Sequence, residues 1–201
     1  RRMSPHGLIS VGINVVADAD WVDVKRKYNL PEEYLLYVGR IDKGKLNHIV
    51  QYFLHYKARY ANSKLKFVLV GGLFSAPVSH SDLIYTGFVS ENEKYAIIRH
   101  AKIMVNPSKF ESLSLILLEG MQLGKPMLVN GKCEVLKEHC SKSEKAALAY
   151  WNKNDFISKL ASLETSSELC REMGKKGKVY VETYYSWSVI MERLKKAIES
   201  V

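Results

Sequence analysis

Six short apolar runs recur along this chain with longer segments of helical spacing between them, and that alternation restricts the fold more than any other feature. The runs are 34–39 (YLLYVG), 66–71 (KFVLVG), 83–88 (LIYTGF), 102–106 (KIMVN), 126–130 (PMLVN) and 146–150 (AALAY). Strands buried on both faces read as near-continuous apolar stretches, and parallel neighbours need a long crossover, usually a helix. The pattern therefore predicts an α/β fold: an open parallel sheet of about six strands with helices on both faces. Between the runs, Leu46, Ile49, Val50, Phe53 and Leu54 recur at i, i+3, i+4, i+7, i+8, so 45–60 is expected to lay one helical face on the sheet. Segments 91–100, 112–123, 154–163 and 167–183 carry helical spacing too. Ser186 is placed to cap a last helix over 187–201 that passes through Leu194 and Ile198.

No repeat, low-complexity tract or Pro/Gly-rich linker interrupts the 201 residues, so a single lobe over 1–201 is the expectation. Residues 1–30 read as a lead-in, with 8–16 (LISVGINVV) a strand and the Asp-rich 18–23 a loop. The opening Arg1-Arg2-Met3-Ser4, with no leading Met or signal-like block, suggests a piece of something longer.

Composition narrows the class. At 47% hydrophobic and 25% charged, a chain of this length buries one sizeable core and is neither disordered nor collagen-like. Thirty Lys+Arg against 21 Asp+Glu leave a formal charge of +9, which favours an anionic partner. Cys133, Cys140 and Cys170 form no C-x-x-C pair, pointing to a reducing, cytoplasmic setting and away from zinc. The longest apolar run, Leu113 to Leu118, stops at Glu119, far short of the roughly 18 to 20 residues a membrane span needs. His6, His48, His55, His80, His100 and His139 form neither H-E-x-x-H nor a helical i, i+4 pair, so no metal site is expected.

In an open parallel sheet, ligands bind beyond the carboxyl ends of the strands, where loops hand the chain to helix N-termini. Gly39-Arg40-Ile41-Asp42-Lys43-Gly44-Lys45 is such a loop, and it offers what a diphosphate needs: a guanidinium fork, an ammonium charge and free backbone N–H groups. A solvated turn in which Arg40 pairs with Asp42 is the simpler alternative. It has neither the G-x-x-x-x-G-K-[ST] nor the G-x-G-x-x-G spacing.

A second loop, Pro107-Ser108-Lys109-Phe110-Glu111-Ser112-Leu113-Ser114, runs into Leu115-Ile116-Leu117-Leu118-Glu119-Gly120. With a helix starting near Ser112, Glu111 lies at its mouth and Glu119 two turns in. Among apolar neighbours a carboxylate needs a definite partner, either a ribose diol or an internal Arg or Lys. The N–H groups of Ser112, Leu113 and Ser114 would face phosphate. Gly87-Phe88-Val89-Ser90-Glu91-Asn92-Glu93 ends a strand with Ser90 and Glu93 in capping-box spacing, and a base has room to lean on the Val89 backbone. Gly71-Gly72 suits close backbone approach or a tight turn. Lys175-Lys176-Gly177-Lys178 reads as a solvated helix face in preference to a nucleic-acid patch, and no recognition-helix or stacking-sheet motif accompanies it, so no nucleic-acid partner is expected.

Over roughly residues 30 to 200, the ordered set G-R-x-x-x-x-K, L-V-G, G-F-V-S-x-x-E-K, P-S-x-x-E-S-L-S-x-x-x-x-E and G-x-P-x-L-V-N resembles the C-terminal, donor-binding lobe of GT-B glycosyltransferases. The nearest group is the retaining family 4 (glycosyl transferases group 1), whose most specific mark is the E-x7-E pair, here Glu111 and Glu119. The resemblance implies a Rossmann-like single lobe that takes part in transferring a sugar from a nucleotide diphosphate sugar, UDP- or GDP-linked, with retention and without a metal or other cofactor. It implies that Gly39, Arg40 and Lys45 meet the diphosphate and Glu119 the ribose. Phe110, Glu111 and the backbone of Ser112, Leu113 and Ser114 would face the sugar and phosphates, and Phe88 and Val89 the base. Arg40, Lys45 and Glu111 would be the catalytic set.

Leu46, Ser112 and Ser114 stand where many members have Gly. A glycan or lipid-linked acceptor would be held by an N-terminal lobe absent from this sequence, leaving the isolated lobe a weak donor binder without transfer activity. Peripheral contact with an anionic inner-membrane face fits the remaining positive charge. A nucleotide-binding regulatory module, or a nucleotide-sugar epimerase, on the same fold is the alternative.

Overall fold

The computed structural model describes residues 11–15 and 20–199, with the side chain of Lys45 outside that description. In chain order the elements are α1 (Trp21–Tyr28), β1 (Tyr34–Val38), α2 (Lys43–Arg59), β2 (Lys66–Val70), β3 (Leu83–Gly87), α3 (Glu91–His100) and β4 (Ile103–Asn106). There follow α4 (Leu115–Gln122), β5 (Met127–Asn130), α5 (Glu134–Lys142), β6 (Ala147–Tyr150), α6 (Lys153–Thr165), α7 (Ser167–Tyr185) and α8 (Trp187–Glu199). The strands form one six-stranded sheet in the order β3-β2-β1-β4-β5-β6, parallel throughout. All six expected strands are present within a residue of their expected limits. The chain's progress across the sheet reverses between β1 and β4, and the loops leaving these two strands face each other across that switch point.

Two apolar layers follow from the two-residue period of a strand. Tyr34, Leu36, Val68, Val70 and Met104 pack on one face with α3, α4, α5 and part of α7. Leu35, Tyr37, Phe67, Leu69 and Val105 pack on the other with α2 and α6. Leu46 is 3% exposed and belongs to this second layer.

Three local expectations change. The Asp-rich stretch is no simple loop: Asp20 accepts from the N–H groups of Val22 and Asp23 and starts α1, which the sequence reading passed over. Helix α5 was also not expected; it starts behind Cys133 with no side-chain cap to announce it. The expected helix 112–123 begins only at Leu115, because Ser114 adopts a left-handed backbone (φ 66°) and its hydroxyl makes no cap. Of the lead-in strand 8–16, residues 8–10 and 16 fall outside the described set. Within it, Ile13 pairs with Ser186 in a single parallel bridge, its N–H donating to Tyr185 O at 2.7 Å, and Gly12 lies against the Trp187 indole.

Helix α7 exposes Lys175, Lys176 and Lys178, the solvated face expected, and turns Gly174 and Gly177 inward onto α4 and the turn after it. A Cβ on Gly174 would lie 2.2 Å from the carbonyl oxygen of Gly124, itself at φ 71°. Ala normally exceeds Gly in a helix by about 1 kcal/mol. Here the backbone clash outweighs that gain: Gly174→Ala should lower stability by about 1–3 kcal/mol, read as a shift in denaturant midpoint.

Candidate functional site

The carboxyl ends of β1, β2 and β3 are held close by glycines. Gly39 N–H donates to Val70 O and Gly71 N–H to Gly87 O, and a Cβ on Gly71 (φ 136°) would lie 2.1 Å from Gly39 O. Beyond the sheet, Ile41 bridges to Leu73 and Ser75 Oγ accepts from Lys43 N–H, so the β1 and β2 loops continue as a pair. Arg40 stands on this platform with its side chain 61% exposed, 3.4 Å from Asp42 and stacked near the Phe74 ring at 5.6 Å. The Asp42 pairing expected as the simpler alternative is thus present, on a guanidinium that is still largely open to solvent. Lys45 follows in the first turn of α2.

Across the switch point the β4 loop is built on a buried amide. Asn106, 4% exposed, donates through Nδ2 to Glu111 Oε1 (3.1 Å) and Ser114 Oγ (2.9 Å), and accepts from Ser108 N–H through Oδ1 (3.0 Å). Asn130, at the end of β5, donates to Pro107 O at 3.1 Å. These bonds set Glu111 four residues ahead of α4, in the loop and not at the helix mouth. They also occupy the Ser114 hydroxyl, which explains the missing cap. The N–H groups of Leu115 and Ile116, in the first turn of α4, have no acceptor within the helix. Asn106 and Asn130 were missed by sequence reasoning; the signal was there, since both close an apolar strand in the same V-N step.

Between the two loops lies a cleft of about 340 Å³, lined by Arg40, Gly44, His48, Ser108, Lys109 and Phe110. Phe110 is 89% exposed at its rim. Burial, and then the Lys109 charge, hold His48 below the usual imidazole range. Tyr37, under the cleft, bonds Arg40 O at 3.0 Å, and burial, with Glu111 next, raises its phenol to about 12.

Glu119 projects from α4 toward α3, where Lys94 Nζ donates to its Oε1 at 3.0 Å and Tyr95 OH, 3.3 Å from the same oxygen, shares its one proton with Glu91 Oε1 at 2.8 Å. The internal cation is therefore real, while Oε2 keeps no protein partner among the described residues. Phe88, exposed on the β3 loop, lies against Gly72, and Val89 packs on the core beside it. The expected capping box is complete: Ser90 Oγ accepts from Glu93 N–H and Glu93 accepts from Ser90 N–H. Glu93 also takes Lys27 (2.6 Å) and Tyr28 (3.0 Å) from α1.

The structure thus brings Arg40 and Phe110 to one cleft, ties Glu111 to Ser114, and sets Glu119 and Phe88 on the α3 side. Among the described residues no hydrogen bond or ion pair joins Arg40 to Glu111 or Glu119. No three His, Cys, Asp or Glu side chains among those residues group to hold a metal ion, and no helix is long and apolar enough to cross a membrane.

An all-parallel open sheet whose switch-point loops carry cations, carboxylates and a free helix start defines an α/β protein with a phosphate-compatible crevice. The family model for glycosyl transferases group 1 matches residues 22–180, and the chain belongs to that family. Among solved structures it is similar to the sucrose-phosphate synthase of Thermosynechococcus elongatus (20% identity over 96% of this chain and 52% of that one, TM-score 0.71). It is similar also to WaaG, a glycosyltransferase involved in lipopolysaccharide biosynthesis (14%, 90% and 54%, TM-score 0.68). A third is the C-terminal domain of a glycosyl transferase group 1 family protein, LpcC, from Francisella tularensis (18%, 84% and 94%, TM-score 0.65). The chain spans about half the length of the first two.

The Lys27 bond, then those from Ser90, hold the Glu93 carboxyl down to about 2. A carboxylate held below its unfolded value contributes stability that is present above that value and lost as pH falls through the folded one. The stability gap between wild type and Glu93→Gln should therefore be widest near neutral pH and close as the pH is lowered from about 5 toward 2, measured by urea unfolding.

Proposed function

We propose that this lobe binds a nucleotide diphosphate sugar for a glycosyl transfer that retains configuration and needs no metal, in the manner of family 4 glycosyltransferases. The observation that carries the reading is the cleft at the switch point, where the exposed Arg40 guanidinium faces the asparagine-built loop of Glu111 and Ser114. In such a transfer the bond from the anomeric carbon to the diphosphate oxygen breaks with its electron pair leaving on the diphosphate. An acceptor hydroxyl oxygen takes the vacated position on the same face, and its proton passes to the departing diphosphate oxygen. Charge grows on the diphosphate, and without a metal it must be met by protein donors.

Arg40 and Lys45 serve that charge, with Gly39 allowing close approach and Leu113 to Ile116 offering backbone N–H groups. Glu111, held by Asn106, faces the sugar. Glu119 takes the ribose diol through Oε2 while Lys94 and Tyr95 hold Oε1. The base, uracil or guanine, lies by Phe88 and Val89, and Phe110 closes the rim. A glycan or lipid-linked acceptor approaches from a part of the protein outside this sequence, and contact with an anionic membrane surface uses the lysines spread over α7 and α8. The family match favours transfer over an epimerase or a purely regulatory module.

Calorimetry with UDP, GDP, ADP and their sugar conjugates tests the assignment. Arg40→Ala or Lys45→Ala should weaken binding by about 1.5–3 kcal/mol, tenfold or more in Kd. Glu119→Ala should weaken all nucleotides alike, because it reads ribose and not base. Unchanged affinity in both Arg40→Ala and Glu119→Ala would place the site elsewhere.

A further inference from the structure

We infer that His139 is a positioning residue for this site, acting through the carbonyl of Leu113. The inference rests on the donor-site reading above and deepens it. His139 sits in α5, 4% exposed, away from the cleft residues already assigned. Its Nε2 is 2.8 Å from Leu113 O and its Nδ1 is 2.9 Å from the Tyr180 hydroxyl on α7. A carbonyl oxygen only accepts, so Nε2 carries the proton; in the neutral ring Nδ1 then accepts from Tyr180. The resulting relay runs from Tyr180 O–H to Nδ1 and from Nε2–H to Leu113 O, with Tyr185 OH 3.4 Å behind Tyr180.

The place where this relay ends gives it a role. Leu113 lies between Glu111 and Ser114, and Ser114 is the left-handed residue from which α4 starts. Asn106 fixes this segment by the side chains of Glu111 and Ser114; His139 fixes it by the main chain. With the Leu113 carbonyl held back by Nε2–H, the Leu113–Ser114 peptide has one orientation, and the donors that follow it are aimed before any ligand arrives. Burial keeps the imidazole below its usual range. The charged groups near it are Glu138 and Lys142 on its own helix, paired with each other at 2.5 Å, while α7 presents Tyr180 and Tyr185. Protonation would make Nδ1 a donor as well, with the Tyr180 hydroxyl turning to accept from it, while Nε2–H stays on Leu113 O; the main-chain anchor therefore does not depend on the ring's charge.

The test uses the full-length protein with three variants, His139→Gln, His139→Phe and Tyr180→Phe, and whichever of UDP, GDP or ADP the wild type binds. Gln retains an N–H donor at the reach of Nε2; Phe keeps the ring volume and removes the donor. His139→Gln should stay within about threefold of wild type at pH 8, whereas His139→Phe should bind about tenfold more weakly.

Nitrogen NMR of the wild-type ring should show Nε2–H with a bare Nδ1, and Tyr180→Phe should raise the population of the other tautomer. Wild-type affinity in a folded His139→Phe, or a proton resident on Nδ1, would overturn the inference. If no nucleotide binds even the wild type, the donor-site reading fails. The relay is then judged by amide exchange at Leu113 and Ser114: faster in His139→Phe than in His139→Gln supports it, and equal rates refute it.

Discussion

A backbone that leaves the middle of a buried parallel sheet carries polar groups into a place water does not reach, and something within a few ångströms must satisfy them. Asn106 meets that demand for the most exacting stretch of this fold. One amide serves three partners, two of them side chains and one a main-chain N–H, and so converts eight residues of loop into a fixed surface. The rest of the candidate site depends on it. Glu111 is where it is because Nδ2 holds it, α4 starts where it does because Ser114 is bound sideways, and the cleft facing Arg40 has a floor because Ser108 is turned back on the same amide.

The opposite wall is built by subtraction. The β1, β2 and β3 loops approach each other through glycines, most closely at Gly71, where an added Cβ would lie 2.1 Å from the Gly39 carbonyl oxygen. One side of the crevice is therefore set by a polar side chain that fills space and the other by side chains that are missing. Both devices sit at strand ends, where a small displacement of a donor or carboxylate changes which ligand atoms it reaches.

How much of this could be read in advance depended on the range of the forces involved. The four inner strands were legible because burial on both faces leaves an uninterrupted apolar mark, the partly buried edge strands β3 and β6 because they keep a short apolar run, and α2, α6 and α7 because one face of a long helix must be apolar. Helix α5 was not, since nine residues behind an uncapped Cys133 carry too little pattern. The start of α4 was misplaced for a different reason: Ser112 and Ser114 are ordinary caps by type, and only the distant Asn106 decides that Ser114 is not used as one. Glu119 illustrates the limit most clearly. Its need for a partner followed from its neighbours, but Lys94, 25 positions away in sequence, becomes its partner only through packing of α3 beside α4. Arg40 shows the solvated pairing with Asp42 that its own loop allowed, with its side chain 61% exposed.

The bridge between Ile13 and the α7–α8 junction gives that corner a shared fate. The Ile13 amide spends its hydrogen bond on Tyr185 O, and Gly12 leaves room for the Trp187 ring that begins α8. Ile13 is buried in the same apolar layer as Tyr180 and Val181 of α7, so fraying of 11–15 strips the junction of its cover, and loosening of the junction releases 11–15. Local opening of the two segments is one cooperative event with one free energy, and amides on both should report the same protection.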